Sequence, residues 1–130
     1  MNPWREGKTV VLGVAAGAQI REGQMVALNA GGFLVSATDA SAAFLVGQAN
    51  QIALNVNGTN GEETIAVKRD GAFLFGNSAG ADEIKPTRLF EDCYLVNGDT
   101  VAATDGGTGR IIAGKVIEIS DEGVWVEVNA

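Results

Sequence analysis

The stretch that decides the fold is Arg110-Ile-Ile-Ala-Gly-Lys-Val-Ile-Glu-Ile-Ser-Asp-Glu-Gly-Val-Trp-Val-Glu-Val128. Two β-branched runs flank a short acidic turn that ends in glycine, which is the pattern of a β-hairpin. In the second run the valines alternate with Trp125 and Glu127, so one face of the strand is apolar and the other is mixed. Such a strand belongs to a half-buried sheet. The rest of the chain repeats this alternation of short runs and turns, which predicts an all-β fold.

Composition limits both the size of the domain and its partners. The 130 residues, 46% of them apolar, are enough for one folded domain with a modest core. The net charge of -7 opposes binding to phosphates and to anionic lipid, so we expect no nucleic-acid partner and no membrane association. The apolar segment at 9–18 is interrupted by Gly13 and Gly17 and is too short to cross a bilayer. Cys93 has no second cysteine to pair with, which fits a reducing cytoplasm.

Residues 1–8 are predicted to form an arm that precedes a single β domain at 9–130. Pro3 and Gly7 disfavour regular structure in the arm, and Trp4 is a large apolar side chain among polar neighbours. Trp4 either folds back onto the domain or anchors the arm in a partner, because tryptophan is enriched at interface hot spots.

Short runs of β-branched and aromatic residues, separated by Gly, Asn and Asp, predict strands along the whole domain. Before the closing hairpin they lie at 9–14, 25–28, 33–36, 44–46, 52–56, 62–67, 72–75, 94–96 and 100–103. The irregular stretch Asn77 to Phe90 interrupts the series, and Thr87 to Asp92 is predicted to form one short helical turn. The apolar pair Leu89 and Phe90 would then close one end of a barrel or sandwich.

Two parts of the chain, about 20–56 and 88–120, share an order of landmarks. Met25-Val-Ala-Leu-Asn29 resembles Cys93-Tyr-Leu-Val-Asn97. Each is followed by a glycine-containing turn, a short strand, an Ala-Thr-Asp link and an apolar triplet that ends in glycine. These landmarks are either an internal duplication, in which two small units share one core, or echoes that any β protein rich in Gly and Ala would give.

The residue types that most catalysis needs are missing or poorly placed. The chain has no histidine, which removes Ser-His and Cys-His nucleophile pairs and the commonest transition-metal ligand. Its carboxylate pairs are sequence neighbours, which point to opposite faces of a strand or lie in solvated turns. Gly106 to Gly109 lacks the Lys and the Ser or Thr that follow in a phosphate-binding loop. We therefore expect a protein that is not an enzyme and that has no cofactor and no metal.

The layout as a whole resembles that of the capsid decoration proteins, or head cement and stabilisation proteins, of tailed bacteriophages. The similarity covers most of residues 8–128. It consists of a short polar arm, Gly-Gln-Met-Val-Ala-Leu, Ala-Thr-Asp-Ala-Ser-Ala, a mid-chain Asp-Gly-Ala-Phe-Leu-Phe strand, Asp-Cys-Tyr-Leu-Val-Asn-Gly-Asp-Thr-Val and the closing hairpin. The longer stretch at 77–90 departs from the layout of the family.

The resemblance implies a small β-barrel or β-tulip-like domain with one short helical turn and a flexible N-terminal arm. It also implies a virion protein, made in the host bacterial cytoplasm, that binds the major capsid protein on the outer surface of the head. There it would form homotrimers and strengthen the shell.

The resemblance also directs attention to two sets of contact residues. An arm can add a strand to the sheet edge of a neighbour, so the capsid-contact candidates are Asn2, Pro3, Trp4, Arg5 and Lys8. The candidates for the contact between subunits are Phe73, Phe75, Leu89, Phe90 and Trp125. Trp125 has a second interpretation, since it would also serve as a cover for the second face of its sheet.

Two other classes of protein stay open. A carbohydrate- or receptor-binding β-module of a phage or bacterial surface protein would have the same fold class. Glycan binders usually cluster exposed aromatics, however, and this chain has only two Trp and one Tyr. A small enzyme ranks last, because the sequence offers neither a histidine nor an evident pair of carboxylates across a cleft.

Overall fold

The computed structural model describes residues 9–69, 72–107 and 109–128, and these residues form an all-β fold, as predicted. The predicted arm at 1–8, with Asn2, Pro3, Trp4, Arg5 and Lys8, lies outside the described residues. The strands are β1 Thr9–Gly13, β2 Gln19–Ile20, β3 Met25–Asn29, β4 Leu34–Ser36, β5 Ala42–Ala49, β6 Ala53–Leu54, β7 Thr64–Lys68, β8 Ala72–Asn77, β9 Asp92–Asn97, β10 Thr100–Ala102, β11 Ile112–Ser120 and β12 Gly123–Glu127.

The strands fall into two groups that follow one another along the chain. β1 to β7 form the first unit, residues 9–68, in which five strands pair in the order β1-β7-β5-β3-β4. In the same unit β2 and β6 pair with each other as a separate two-stranded ribbon. β8 to β12 form the second unit, residues 72–127, and close into a ring in the order β10-β8-β12-β11-β9.

The two units pair their central strands in the same way. β3 lies between β4 and β5, as β9 lies between β10 and β11, and the registers match at one constant spacing along the chain. In the first unit the pairs are Met25 with Gln48, Val26 with Gly47, and Ala27 with Leu45. In the second unit the pairs are Asp92 with Lys115, Cys93 with Gly114, and Tyr94 with Ile112.

The correspondence extends to the outer strands and to the closure of the ring. β7 pairs with β5 and β1, as β12 pairs with β11 and β8. Val14 makes a single parallel bridge to Leu34 of β4, whereas Asn77 pairs in parallel with Val101 as part of a regular ladder. The corresponding parts therefore span 9–68 and 72–127, which is wider than the predicted 20–56 and 88–120. Descent of the two units from one duplicated segment stays a prediction.

A bulge beside a glycine bends the central pairing of each unit. In its register with β3, β5 skips one residue between Ala42 and Phe44. It skips another between Leu45 and Gly47, at the place where β11 skips one between Ile112 and Gly114. The glycines that follow are Gly47 and Gly114, where an added Cβ atom would lie 2.1 Å from the Lys68 carbonyl oxygen and 2.2 Å from the Glu127 carbonyl oxygen, respectively. Only glycine allows the neighbouring strand to come this close.

The hydrophobic core joins the two units. The first unit has its own cluster, which includes Ile20, Leu34 and Val67. The cluster of the second unit also takes in three side chains of the first, namely Met25, Ala37 and Leu45. The two units therefore share buried surface, chiefly where β5 meets β11.

The irregular stretch contains two single 3-10 turns, Gly80–Asp82 and Pro86–Arg88, where the sequence predicts one turn at 87–92. The second turn is preceded by Lys85 rather than by a capping Thr87. It ends at Arg88 because Leu89 has a ψ of 135°, which is extended, and Phe90 with its φ of 68° could not continue a right-handed helix. Leu89 packs against the core as predicted, whereas Phe90 is exposed and closes nothing.

Candidate interaction surfaces

The structure gives the predicted subunit-contact residues different surroundings. Phe75 is 2% exposed and fills the core of its own chain. It has no surface left for a neighbour, so its prediction as a subunit contact is wrong. Phe73 and Leu89 are partly buried against the same core, which leaves them a smaller free surface than the sequence suggests.

Trp125 is half-buried on the outer face of β12. Its cross-strand neighbours are Leu74 of β8 and Glu118 of β11. This position fits the predicted cover of the second sheet face. Contact of its remaining exposed surface with another subunit stays a prediction.

An apolar stripe lies on the ribbon formed by β2 and β6. Leu54 lies in β6, Ile52 precedes it and Val56 follows it, and Ile52, Leu54 and Val56 are 60%, 56% and 52% exposed, respectively. We call these three residues the β6 stripe. The intervening side chains, Ala53 and Asn55, are buried instead. The usual pattern, with large apolar side chains inward, is therefore reversed. The exposed aliphatic side chains contribute no hydrophobic stabilisation to the isolated chain.

Asn55 holds the ribbon against the first unit. Its side-chain amide donates hydrogen bonds to the carbonyl oxygens of Val14 at 3.2 Å, Ala15 at 3.1 Å and Thr59 at 2.9 Å. Its backbone N–H donates to the carbonyl oxygen of Ala18 at 2.9 Å. An amide is costly to bury unless it is hydrogen-bonded, so these partners fix Asn55 inward. With Ala53 and Asn55 inward, the three side chains of the β6 stripe are left exposed.

The ribbon also has an open edge. Within the described residues β2 is the single strand neighbour of β6. The opposite edge of β6 has no strand partner among these residues, and an unpaired edge is a place where an extended segment of another chain can add a strand.

Phe90 is an exposed aromatic side chain in a strained backbone conformation. It is 70% exposed, and its φ of 68° makes it the one non-glycine residue with positive φ in the described part of the chain. The left-handed region costs an ordinary residue roughly 1–2 kcal/mol. Two backbone hydrogen bonds hold the conformation, from Phe90 N–H to the Val116 oxygen at 2.6 Å and from Val116 N–H to the Glu91 oxygen at 3.0 Å.

Phe90 lines an open groove of about 580 Å³ on the second unit. We call it the Phe90 groove. A second aromatic side chain, Tyr94, and the buried Ala103 also line it, and most of the other lining residues are charged. The groove thus combines exposed ring surface with ionised groups.

Each cation of the groove has a carboxylate partner of its own. Lys115 Nζ lies 2.8 Å from Asp92 Oδ1, and Arg88 Nη1 lies 3.6 Å from Glu91 Oε1. The hydrogen bond to Asp92 raises the pKa of Lys115 above its ordinary value. Asp105 also lines the groove and accepts a hydrogen bond from the Gly107 N–H at 2.8 Å, but no cation pairs with it among the residues that the structure describes. The groove therefore carries one uncompensated negative charge.

A polar cluster joins the first 3-10 turn to the segment before β11. Asp82 accepts hydrogen bonds from Thr104 Oγ1 at 2.6 Å and from Arg110 Nη1 at 3.1 Å. Arg110 also donates to the Thr104 carbonyl oxygen at 3.2 Å. The Thr104 hydroxyl and the Arg110 guanidinium hold the pKa of Asp82 below its ordinary value. These mutual contacts link two loops, which is a structural arrangement.

Other reactive groups are not arranged for chemistry. Burial, assisted by the Asp92 charge, raises the pKa of Cys93 to about 12, so its thiol stays neutral in the core. Over residues 9–69, 72–107 and 109–128, no group of three or more metal-ligating side chains is placed to hold an ion. A search of those same residues finds no helix with the length and hydropathy that a membrane span requires.

Comparison with protein families, with curated proteins and with solved structures finds no match to this chain. The surfaces described above are therefore interpreted from their own geometry and chemistry.

Sequence reasoning places a strand at 52–56 but misses the β6 stripe. It assigns Phe90 both to the closure of one end of the fold, which its exposure contradicts, and to the contact between subunits, which stays a prediction. The available signal for the stripe is Asn55, which shares a strand face with the small Ala53. The signal for Phe90 is the parallel between Arg21-Glu-Gly-Gln24 and Arg88-Leu-Phe-Glu91, in which Phe90 occupies the place of a glycine.

Proposed function

We propose that the protein is a structural capsid decoration protein, which binds the outer surface of an assembled phage head and stabilises it. Its partners would be the major capsid protein and two further copies of itself. The sequence layout motivates this proposal, and one structural observation supports it. The β6 stripe is an apolar surface that buried hydrogen bonds hold outward, beside an open strand edge.

The expected affinity of one stripe is modest. Complete burial of a Val, Leu or Ile side chain contributes roughly 1.5–3 kcal/mol relative to full exposure, and these side chains are a little over half exposed. One copy therefore gains on the order of 3 kcal/mol from covering the stripe, before the cost of association. A trimer on a repeating lattice engages several stripes at once, and the resulting avidity converts a weak contact into stable decoration.

The direct test uses matured, undecorated heads and the purified protein. We expect the protein to sediment with the heads and to raise their melting temperature. Heads whose melting temperature does not change at saturating protein would contradict the proposed function itself. Sedimentation of the free protein then reports whether the trimer forms before binding.

The docking surface is tested by a matched pair of variants. Leu54→Glu places a charge in the β6 stripe and should weaken binding to heads by roughly tenfold or more, a loss equivalent to about 1.4 kcal/mol. Val96→Glu is the control, because Val96 is an aliphatic residue that is 41% exposed on the second unit and its substitution introduces the same charge. Equal loss in both variants would point to net charge rather than to the stripe.

The arm is a separate prediction. Deletion of residues 2–7 should leave the domain folded and weaken binding to heads. If the truncated protein bound heads as well as the full chain, the arm would not be a capsid contact, and the β6 stripe would be the remaining candidate.

A further inference from the structure

The backbone position of Phe90 has an exact counterpart in the first unit. Gly23 N–H donates to the Ala49 oxygen at 2.8 Å and Ala49 N–H donates to the Gln24 oxygen at 2.9 Å, as Phe90 and Glu91 do with Val116. The φ of Gly23 is 86°, close to the 68° of Phe90. The fold therefore requires positive φ at this point of both units, and the first unit meets the requirement with the residue that suits it.

The second unit places an aromatic residue where glycine is the better fit. Strain of this kind is often offset by burial, but Phe90 is 70% exposed, so the fold recovers little of the cost. The backbone hydrogen bonds fix the position of the Phe90 backbone, and the side chain lies at the edge of the Phe90 groove with most of its ring exposed. An exposed aromatic ring beside a groove is suited to contact with a partner.

The charges of the groove indicate the chemistry of that partner. The cations Arg88 and Lys115 are already paired with carboxylates of the groove, while Asp105 is not paired among the described residues. A further cation brought to the groove would find both this carboxylate and the negative face of an aromatic ring among the lining residues. The overall net charge of -7 would favour the approach of such a group.

We propose that the Phe90 groove is a binding site for a basic side chain of a partner protein, an arginine or a lysine. Its cationic group stacks on the ring of Phe90 and is neutralised by Asp105. The site lies on the second unit and does not involve the β6 stripe, so it stands or fails independently of capsid binding.

The test is an NMR titration of isotope-labelled protein with the peptide acetyl-Gly-Arg-Gly-Arg-Gly-amide. We expect shifts of the backbone signals of Phe90, Tyr94 and Asp105, and we expect these shifts to diminish as salt is added. A peptide with Glu in place of Arg should cause none of them. Absence of shifts at the groove with the arginine peptide at millimolar concentration would overturn the proposal.

Two variants separate binding from folding. Phe90→Gly removes the ring but suits the positive φ, so the protein should stay folded while the affinity for the peptide falls by roughly threefold or more. Asp105→Asn keeps an acceptor for Gly107 and should weaken binding similarly, whereas Asp99→Asn, in the turn before β10, should not. Full affinity in Phe90→Gly would contradict the role of the ring.

A carbohydrate is the competing occupant, because aromatic rings also stack on sugars. Maltotetraose and chitotetraose are titrated in the same way. Shifts of the groove signals by a sugar and not by the arginine peptide would replace the proposed ligand with a glycan.

Discussion

The first and second units have the same strand order and a corresponding bulge. Among the described residues only the second unit closes into a ring with a regular ladder, and the units also differ at one end. In the first unit the segment between β5 and β7 extends into the ribbon with the β6 stripe, whereas in the second a tight turn joins β11 to β12. Conversely, Gly23 of the first unit is matched by Phe90 of the second. The strand frame is thus shared, and the surfaces proposed for binding are precisely where the two units diverge.

The largest expected effect tests the shared frame. Gly47→Ala and Gly114→Ala should each destabilise the protein by about 3 kcal/mol or more, because the new Cβ would overlap a carbonyl oxygen of the adjacent strand. Gly114 also has a φ of 153°, so its substitution should cost more than that of Gly47. The measurement is urea unfolding.

Gly98→Ala is the control for these substitutions, because an added Cβ at Gly98 meets no atom within 4 Å. Its free energy of unfolding should stay within about 0.5 kcal/mol of the parent. If only one of the two substitutions lowered the free energy of unfolding, the units would share their strand order but not the close strand packing at the bulge.

An intermediate effect concerns the ribbon that only the first unit has. Asn55→Ala removes three side-chain hydrogen bonds to buried carbonyl groups and should cost about 2 kcal/mol. Asn57→Ala, at an exposed neighbouring position, should change stability by less than about 0.5 kcal/mol. Thermal unfolding of the three proteins measures the difference, and equal midpoints would show that Asn55 does not secure the ribbon.

The smallest effect comes from making the first unit resemble the second. Gly23→Phe should cost about 1 kcal/mol, because the site has room for a Cβ and only the backbone conformation is unfavourable. Phe90→Gly should gain a similar amount, about 1 kcal/mol. Glu22→Phe serves as the control, since it exposes the same ring one residue earlier. A Gly23→Phe protein as stable as the Glu22→Phe protein would show that the turn tolerates side chains freely.

The strand frame could be predicted from the sequence because its signals are local. The alternation of 124–128, the glycine turns and the β-branched runs each specify a strand without reference to distant residues, and the all-β prediction is confirmed. The two surfaces could not be predicted in the same way. The inward orientation of Asn55 depends on carbonyl groups of Val14 and Ala15, about forty positions earlier in the chain. The exposure of Phe90 depends on Val116, which holds the positive φ.

Every strand pairing in the described chain joins residues of the same unit, so the two units meet through side chains and not through a hydrogen-bonded ladder. A backbone break between β7 and β8 would therefore leave every described strand pair within one of the two fragments. Met25, Ala37 and Leu45 would then be side chains of one fragment that complete the hydrophobic core of the other. The affinity of the two separately produced fragments for each other would measure how much these buried contacts contribute to the stability of the protein.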